Sequence, residues 1–74
     1  HVGTRIARWR AEKGLTERQA ARLIGVSQPT LRAVERGETK RIGLAVAQAF
    51  VDALEGRIDL EDFLPKKRRR AAAA

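Results

Sequence analysis

The sequence predicts an all-α domain, and two observations support this. Apolar residues recur at helical spacing in several segments, and single glycines separate these segments. No stretch alternates apolar and polar residues as a half-buried strand does. As a separate point, the sequence has no run of about 18 apolar residues, so it predicts no membrane-spanning helix. The 74 residues suit one small domain, which we assign to residues 1–65, followed by a disordered basic tail at 66–74.

The composition excludes several kinds of chemistry. The chain has no cysteine, so it has neither a disulfide nor a thiolate metal site, and its one histidine is His1. It also lacks a glycine-rich phosphate loop and a carboxylate pair in a recognisable pocket. We therefore expect no enzyme activity, no cofactor, no metal and no small-molecule ligand.

The net charge of +7 is unevenly distributed along the chain. Residues 1–51 contain ten Lys and Arg against four Asp and Glu, whereas residues 52–65 contain one against five. Residues 66–70 are all basic. A basic half and an acidic end are typical of a protein that lays one face on a polyanion. A highly charged surface without a partner is the alternative.

The first helix is predicted from Thr4, its cap, to about Lys13, with Ile6 and Trp9 on the buried face and Gly14 at its end. The central stretch, Thr16 to Gly37, is predicted to form two short helices. Thr16 and Gln19 form a capping box, Gly25 supplies a positive φ for the turn, and Ser27 caps the next helix. The apolar side chains assigned to the buried sides of these two helices are Ala20, Ala21, Leu23, Ile24, Leu31 and Val34.

The outer face of the third helix has an unusual composition. Pro29, Arg32, Ala33 and Arg36 recur along it at helical spacing, and Gln28 and Thr30 lie in its first turn. A solvated face would carry more Glu and Lys. Arginine suits guanine, glutamine suits adenine, and small apolar groups suit the thymine methyl, so this face favours contact with base edges.

A fourth helix is predicted to reach about Glu55, and Asp59 is expected to cap a short fifth helix. The apolar residues expected to close the core from this half are Leu44, Ala47, Phe50, Val51, Leu54, Leu60, Phe63 and Leu64. Pro65 ends the ordered part. The basic run that follows is interpreted as a phosphate-attracting arm or a segment without a role, and the four terminal alanines as a cloning remnant.

Residues 4–64 resemble the lambda-repressor/Cro-like, or XRE-type, helix-turn-helix regulators. The carrying residues are Arg10, Gly14-Leu15-Thr16, Ala21, Gly25-Val26-Ser27, Leu31, Val34 and Glu35-Arg36-Gly37, with no gap in their spacing. The resemblance implies five helices, of which the second and third bind duplex DNA and the third enters the major groove. It also implies a cytoplasmic, nucleoid-associated protein of bacterial or phage type.

The resemblance also implies roles for single residues. Arg10 pairs with Glu35 as a structural clamp. The base-contacting set is Gln28, Pro29, Arg32 and Ala33. The phosphate-contacting set is Arg18, Thr30, Arg36, Lys40 and Arg41.

Two positions depart from the family pattern. Glu17 stands where many members have a glutamine that binds phosphate and braces the glutamine of the third helix. A carboxylate repels phosphate, but it can still accept a hydrogen bond from Gln28 and orient that amide. Ile42-Gly43 replaces the usual proline-containing start of the fourth helix.

The leading hypothesis is a sequence-specific regulator of repressor type that acts by occupying duplex DNA. The alternatives are an antitoxin-type regulator that mainly binds a protein partner, through the acidic 52–65 segment, and an engineered DNA binder on the same scaffold. Homodimerisation through the same end is a further expectation.

Overall fold

A computed structural model describes residues 1–40 and 42–63 of the chain. Within them the structure has four α-helices, a single 3-10 helix and no strand. The helices are α1 at Val2–Glu12, α2 at Glu17–Ile24, α3 at Gln28–Glu35 and α4 at Leu44–Ala53, with the 3-10 helix at Leu60–Phe63. The all-α prediction is confirmed for this part of the chain. Arg41, Leu64, Pro65 and the predicted tail at 66–74 lie outside the described residues.

Helix α1 begins earlier than its sequence predicts. Thr4 is not the cap, because the Nδ1 atom of His1 accepts the backbone N–H of Gly3 at 3.0 Å and allows the helix to begin at Val2. The helix ends at Glu12, and Gly14 then adopts a φ of +67°. An imidazole nitrogen thus takes the place of the usual hydroxyl cap.

The turn between α2 and α3 is built as the sequence predicts. The Thr16 hydroxyl accepts the N–H of Gln19 at 3.1 Å, and the Gln19 amide accepts the N–H of Thr16 at 2.9 Å. Gly25 has a φ of +95°, which a residue with a side chain rarely adopts. The Ser27 hydroxyl accepts the N–H of Thr30 at 3.2 Å and caps α3. Local hydrogen bonds therefore fix the beginning of each of the two helices, and Gly25 makes the turn between them.

All four α-helices contribute to the core, and three predicted members do not belong to it: Leu60, which is only half-buried, and two exposed leucines. Its fully buried side chains include Ile6, Trp9, Leu31, Val34, Phe50, Leu54 and Ile58. Leu23 is instead 60% exposed and Leu44 is 74% exposed. On α2 the buried stripe is set by Ala20, Ala21 and Ile24, and Leu23 lies roughly 110° around the helix from it. Leu44 is the first residue of α4 and lies roughly 90° from the stripe that Ala47 and Phe50 define.

The predicted fifth helix is one 3-10 turn, and its cap differs from the prediction. The backbone N–H of Asp59 donates to the Asp62 carboxylate at 2.7 Å, so Asp62 supplies the acceptor. Asp62 also accepts from Arg5 of α1 at 3.1 Å. The rings of Phe50 and Phe63 lie 6.0 Å apart between centroids, which attaches this turn to α4.

Helix α1 approaches the end of α3 more closely than any side chain would permit. A Cβ atom at Gly3 would lie 2.4 Å from the carbonyl oxygens of both Val34 and Glu35. These are backbone atoms and cannot rotate away. The absence of a side chain at Gly3 therefore allows the two helices to meet.

We expect Gly3→Ala to destabilise the fold by about 1–3 kcal/mol, because overpacking outweighs the gain of up to about 1 kcal/mol in helix propensity. Urea unfolding measures the difference. Gly43→Ala is the control, since its Cβ would meet no atom within 4 Å; its cost should stay below about 1 kcal/mol. A Gly3→Ala variant as stable as the parent would contradict the close approach.

Candidate nucleic-acid interface

An ion pair holds the last turn of α3 against α1. The guanidinium of Arg10 donates from Nε to Glu35 Oε2 at 2.8 Å and from Nη2 to Glu35 Oε1 at 3.1 Å. Its Nη1 donates to the Leu15 carbonyl at 3.3 Å. The hydrogen bond to Glu35 raises the pKa of Arg10 above its ordinary value, while partial burial opposes this. The two residues that the resemblance pairs are thus brought together in a bidentate, partly buried contact.

Removal of one residue of the Arg10–Glu35 pair should leave the charge of the other partly buried and without a partner. We expect Glu35→Ala to lower the free energy of unfolding by about 2 kcal/mol, because the side chains of Arg10 and Glu35 are only 25% and 11% exposed. Glu12→Ala is the matched control, because the Glu12–Arg57 pair is about half exposed and should be worth less than about 1 kcal/mol. Equal effects of the two substitutions in a denaturant titration would refute a special role for the clamp.

One face of α3 packs against the core, and the other is accessible to solvent. Leu31 and Val34 are fully buried and attach the helix to the core. The predicted base-contacting residues all lie away from that core. Pro29 and Arg32 are exposed, and Gln28 and Ala33 are half-buried. The outer face is therefore accessible along the helix, and the buried pair fixes which way it points.

Glu17 connects two of these outer side chains to α2. Its Oε1 atom accepts from Gln28 Nε2 at 3.3 Å and from Arg32 Nη2 at 3.1 Å. The expected hydrogen bond from Gln28 to Glu17 is thus present. The ion pair with Arg32 was not expected from the sequence. The only indication of this pair in the sequence is that a single acidic residue, Glu17, precedes a helix with a basic outer face. The turn at Gly25 determines which arginine of that face lies within reach of Glu17.

The ion pair with Arg32 alters the titration of Glu17. The hydrogen bond from Arg32, and then the one from Gln28, hold the pKa of the Glu17 carboxyl below its ordinary value. Glu17 is therefore ionised at neutral pH. A depressed pKa means that the bridge stabilises the fold above the ordinary glutamate range and is lost as the pH falls through the folded value.

An NMR titration of the Glu17 carboxyl carbon should give a midpoint below that of an unperturbed glutamate. Arg32→Ala should raise the midpoint more than Gln28→Ala does, because the arginine bond is the larger cause. The carboxyl carbon of a glutamate in a short unstructured peptide provides the reference midpoint. A midpoint that does not respond to Arg32→Ala would exclude the bridge in solution.

The predicted phosphate-contacting residues lie at the ends of α2 and α3 rather than in one cluster. Arg18 is exposed in the first turn of α2, and Thr30 is half-buried in the first turn of α3. Arg36 ends α3 and lies 3.7 Å from Glu38. Lys40 lines a shallow surface groove with Ala33, Gly37 and Glu38, so it lies beside the outer face of α3. Arg41 is outside the described residues.

Neither a metal site nor a membrane-spanning helix is found in the described ranges. Residues 1–40 and 42–63 contain no group of three His, Cys, Asp or Glu side chains that could hold a metal ion. None of the helices in this part of the chain is long and apolar enough to cross a membrane.

One of three comparisons with known proteins assigns the chain to a family. Comparisons with curated proteins and with solved structures gave no match to the chain. A family model described as a helix-turn-helix domain matches residues 1–63, in agreement with the XRE-type resemblance. The match spans α1 to α4 and the 3-10 helix and thus covers most of the 74 residues. The chain belongs to the helix-turn-helix domain family, and this membership indicates DNA binding.

Proposed function

We propose that this chain is a sequence-specific duplex-DNA-binding protein of transcription-regulator type, which inserts α3 into the major groove. The observation that carries the proposal is the outer face of α3. That face presents Gln28 and Arg32 beside Pro29 and Ala33, on a helix whose other face is fully buried. An α-helix of about 10–12 Å diameter fits the major groove, which is about 12 Å wide.

The chemistry of the face suits base edges. Arg32 can donate two hydrogen bonds to O6 and N7 of guanine, and Gln28 can bind N6 and N7 of adenine. Pro29 and Ala33 offer apolar surface for the methyl group of thymine. These four residues would supply both polar and apolar recognition within little more than one helical turn.

The cations around the face would hold the sugar-phosphate backbone. Arg18, Arg36 and Lys40 are exposed, and Thr30 Oγ1 accepts from Ser27 at 2.8 Å, so its own proton is free for a phosphate oxygen. Arg41 joins this set on sequence grounds. Each phosphate that a cation neutralises releases condensed counterions, so binding should weaken steeply as salt rises.

Regulation would follow from occupancy of the site, as in a repressor. The XRE-type family, the homodimer and the antitoxin-type alternative remain predictions. Two copies on two-fold DNA would place half-sites about 10 base pairs apart.

Selection from a library of randomised duplexes, at one fixed salt concentration, tests the proposal. We expect a short motif to be enriched, and a repeat of that motif with two-fold symmetry would identify a dimer. Equal recovery of all sequences, or no recovery of duplex DNA, would overturn the proposed function.

Substitutions should separate base contacts from phosphate contacts on the selected duplex. Arg32→Ala should cost about 1–3 kcal/mol and relax the preference mainly at one base pair, if that arginine binds guanine. Arg18→Ala should weaken all duplexes alike and reduce the salt slope by about one ion. Arg57→Ala removes the same charge from a residue paired with Glu12, outside the proposed interface, and should change neither the preference nor the slope by as much. The reverse pattern for Arg32 and Arg18 would refute the assignment.

A further inference from the structure

We propose that Glu17 is a specificity-determining residue that positions Gln28 and Arg32 as one base-reading unit. The proposal rests on the proposed function and extends it to a residue of α2. Its basis is that one carboxylate oxygen accepts from both side chains, at 3.3 Å from Gln28 Nε2 and 3.1 Å from Arg32 Nη2.

The backbone of Glu17 is itself well fixed. It is the first residue of α2 and directly follows Thr16, whose capping box defines the start of that helix. Gln28 and Arg32 are four residues apart and are therefore neighbours on one face of α3. Glu17 thus joins the beginning of α2 to two adjacent outer side chains of α3.

The hydrogen-bonding capacity of both side chains exceeds what Glu17 uses. The Gln28 amide has two N–H groups and a carbonyl oxygen, so one N–H and the oxygen remain, which is the set that adenine requires. The guanidinium of Arg32 has five N–H groups, and guanine requires two of them. Glu17 and a pair of bases can therefore be bound at the same time.

A carboxylate imposes an order that an amide at the same position would not. It can only accept, so the Gln28 amide must turn its nitrogen toward Glu17 and its oxygen away. Its charge also keeps the Arg32 fork beside Gln28 rather than on a distant phosphate. The same charge repels the DNA backbone near the start of α2, which lowers affinity for every duplex.

Two variants of Glu17 separate its reach from its charge. Glu17→Asp keeps the charge and withdraws the carboxylate by one methylene, whereas Glu17→Gln keeps the reach and one acceptor oxygen without the charge. Glu12→Gln is the matched control, because Glu12 pairs with Arg57 and makes no contact with Gln28 or Arg32 among the described hydrogen bonds. The randomised-duplex selection is run on the full chain and on each variant, with Gln28→Ala and Arg32→Ala marking the base pairs that these residues read. Thermal unfolding followed by circular dichroism verifies that each variant is folded.

We expect Glu17→Asp to reduce discrimination at the two marked base pairs by at least about fivefold, which corresponds to the lower end of a bidentate contact. Glu17→Gln should lose part of that discrimination, because its amide can donate as well as accept and no longer fixes the orientation of Gln28. It should also bind all duplexes more tightly than Glu12→Gln does. Since Glu17→Asp preserves the acidic first turn of α2, it keeps the test valid even if another variant unfolds.

Unchanged base preference in Glu17→Asp would overturn the assignment. Tighter binding of Glu17→Asp with the same preference would also overturn it, because it would show that Glu17 only withholds Arg32 from DNA. If the parent chain enriches no sequence, the proposed function and this assignment both fail. If the parent chain enriches a sequence and Glu17→Asp has the same preference, only this assignment fails, so the two failures are distinguishable.

Discussion

The contact between α1 and the C-terminal end of α3 is the constraint on which the outer face of α3 depends. Gly3 allows the two backbones to meet, and the Arg10–Glu35 pair closes the same junction with two hydrogen bonds. The buried Leu31 and Val34 then determine the rotation of α3 about its axis. Under the proposed function, α3 would need both its position and its rotation fixed, because base edges are read by side chains within a few ångströms. The scaffold supplies both without a metal or a disulfide among the described residues.

The parts of the fold that are set by local chemistry could be predicted from the sequence. The capping box at Thr16, the positive φ at Gly25 and the cap at Ser27 all depend on residues within a few positions of one another. The errors concern one local cap and the assignment of apolar residues to the core. Apolar character placed Leu23 and Leu44 in the core, but they lie roughly 110° and 90° around their helices from the buried stripes and are exposed. The start of α1 was misplaced because a histidine side chain can cap a helix when its ring nitrogen faces the first N–H groups.

The candidate site shows a division between local and long-range information. The outer face of α3 could be read from helical spacing, since every residue on it belongs to one helix. The partner of Arg32 could not, because Glu17 is 15 residues earlier and reaches Arg32 only across the turn at Gly25. The resemblance to a known family implies that position 17 braces the glutamine of the third helix. The structure shows that hydrogen bond from Gln28 to Glu17 and adds the ion pair with Arg32, which the resemblance does not imply.

Under the proposed function, a single acidic residue at the beginning of α2 would change how the interface balances affinity against discrimination. A neutral amide there would favour every duplex equally by approaching a phosphate, whereas a carboxylate gives up that attraction. One oxygen of this carboxylate instead accepts hydrogen bonds from Gln28 and Arg32 and so limits the orientations that these side chains can adopt in the absence of DNA. Side chains that are ordered in advance lose less conformational entropy on binding. Under the proposed function, the loss of one phosphate contact would be offset by a better ordered pair of base contacts, and the remaining affinity would depend on the exposed cations around α3.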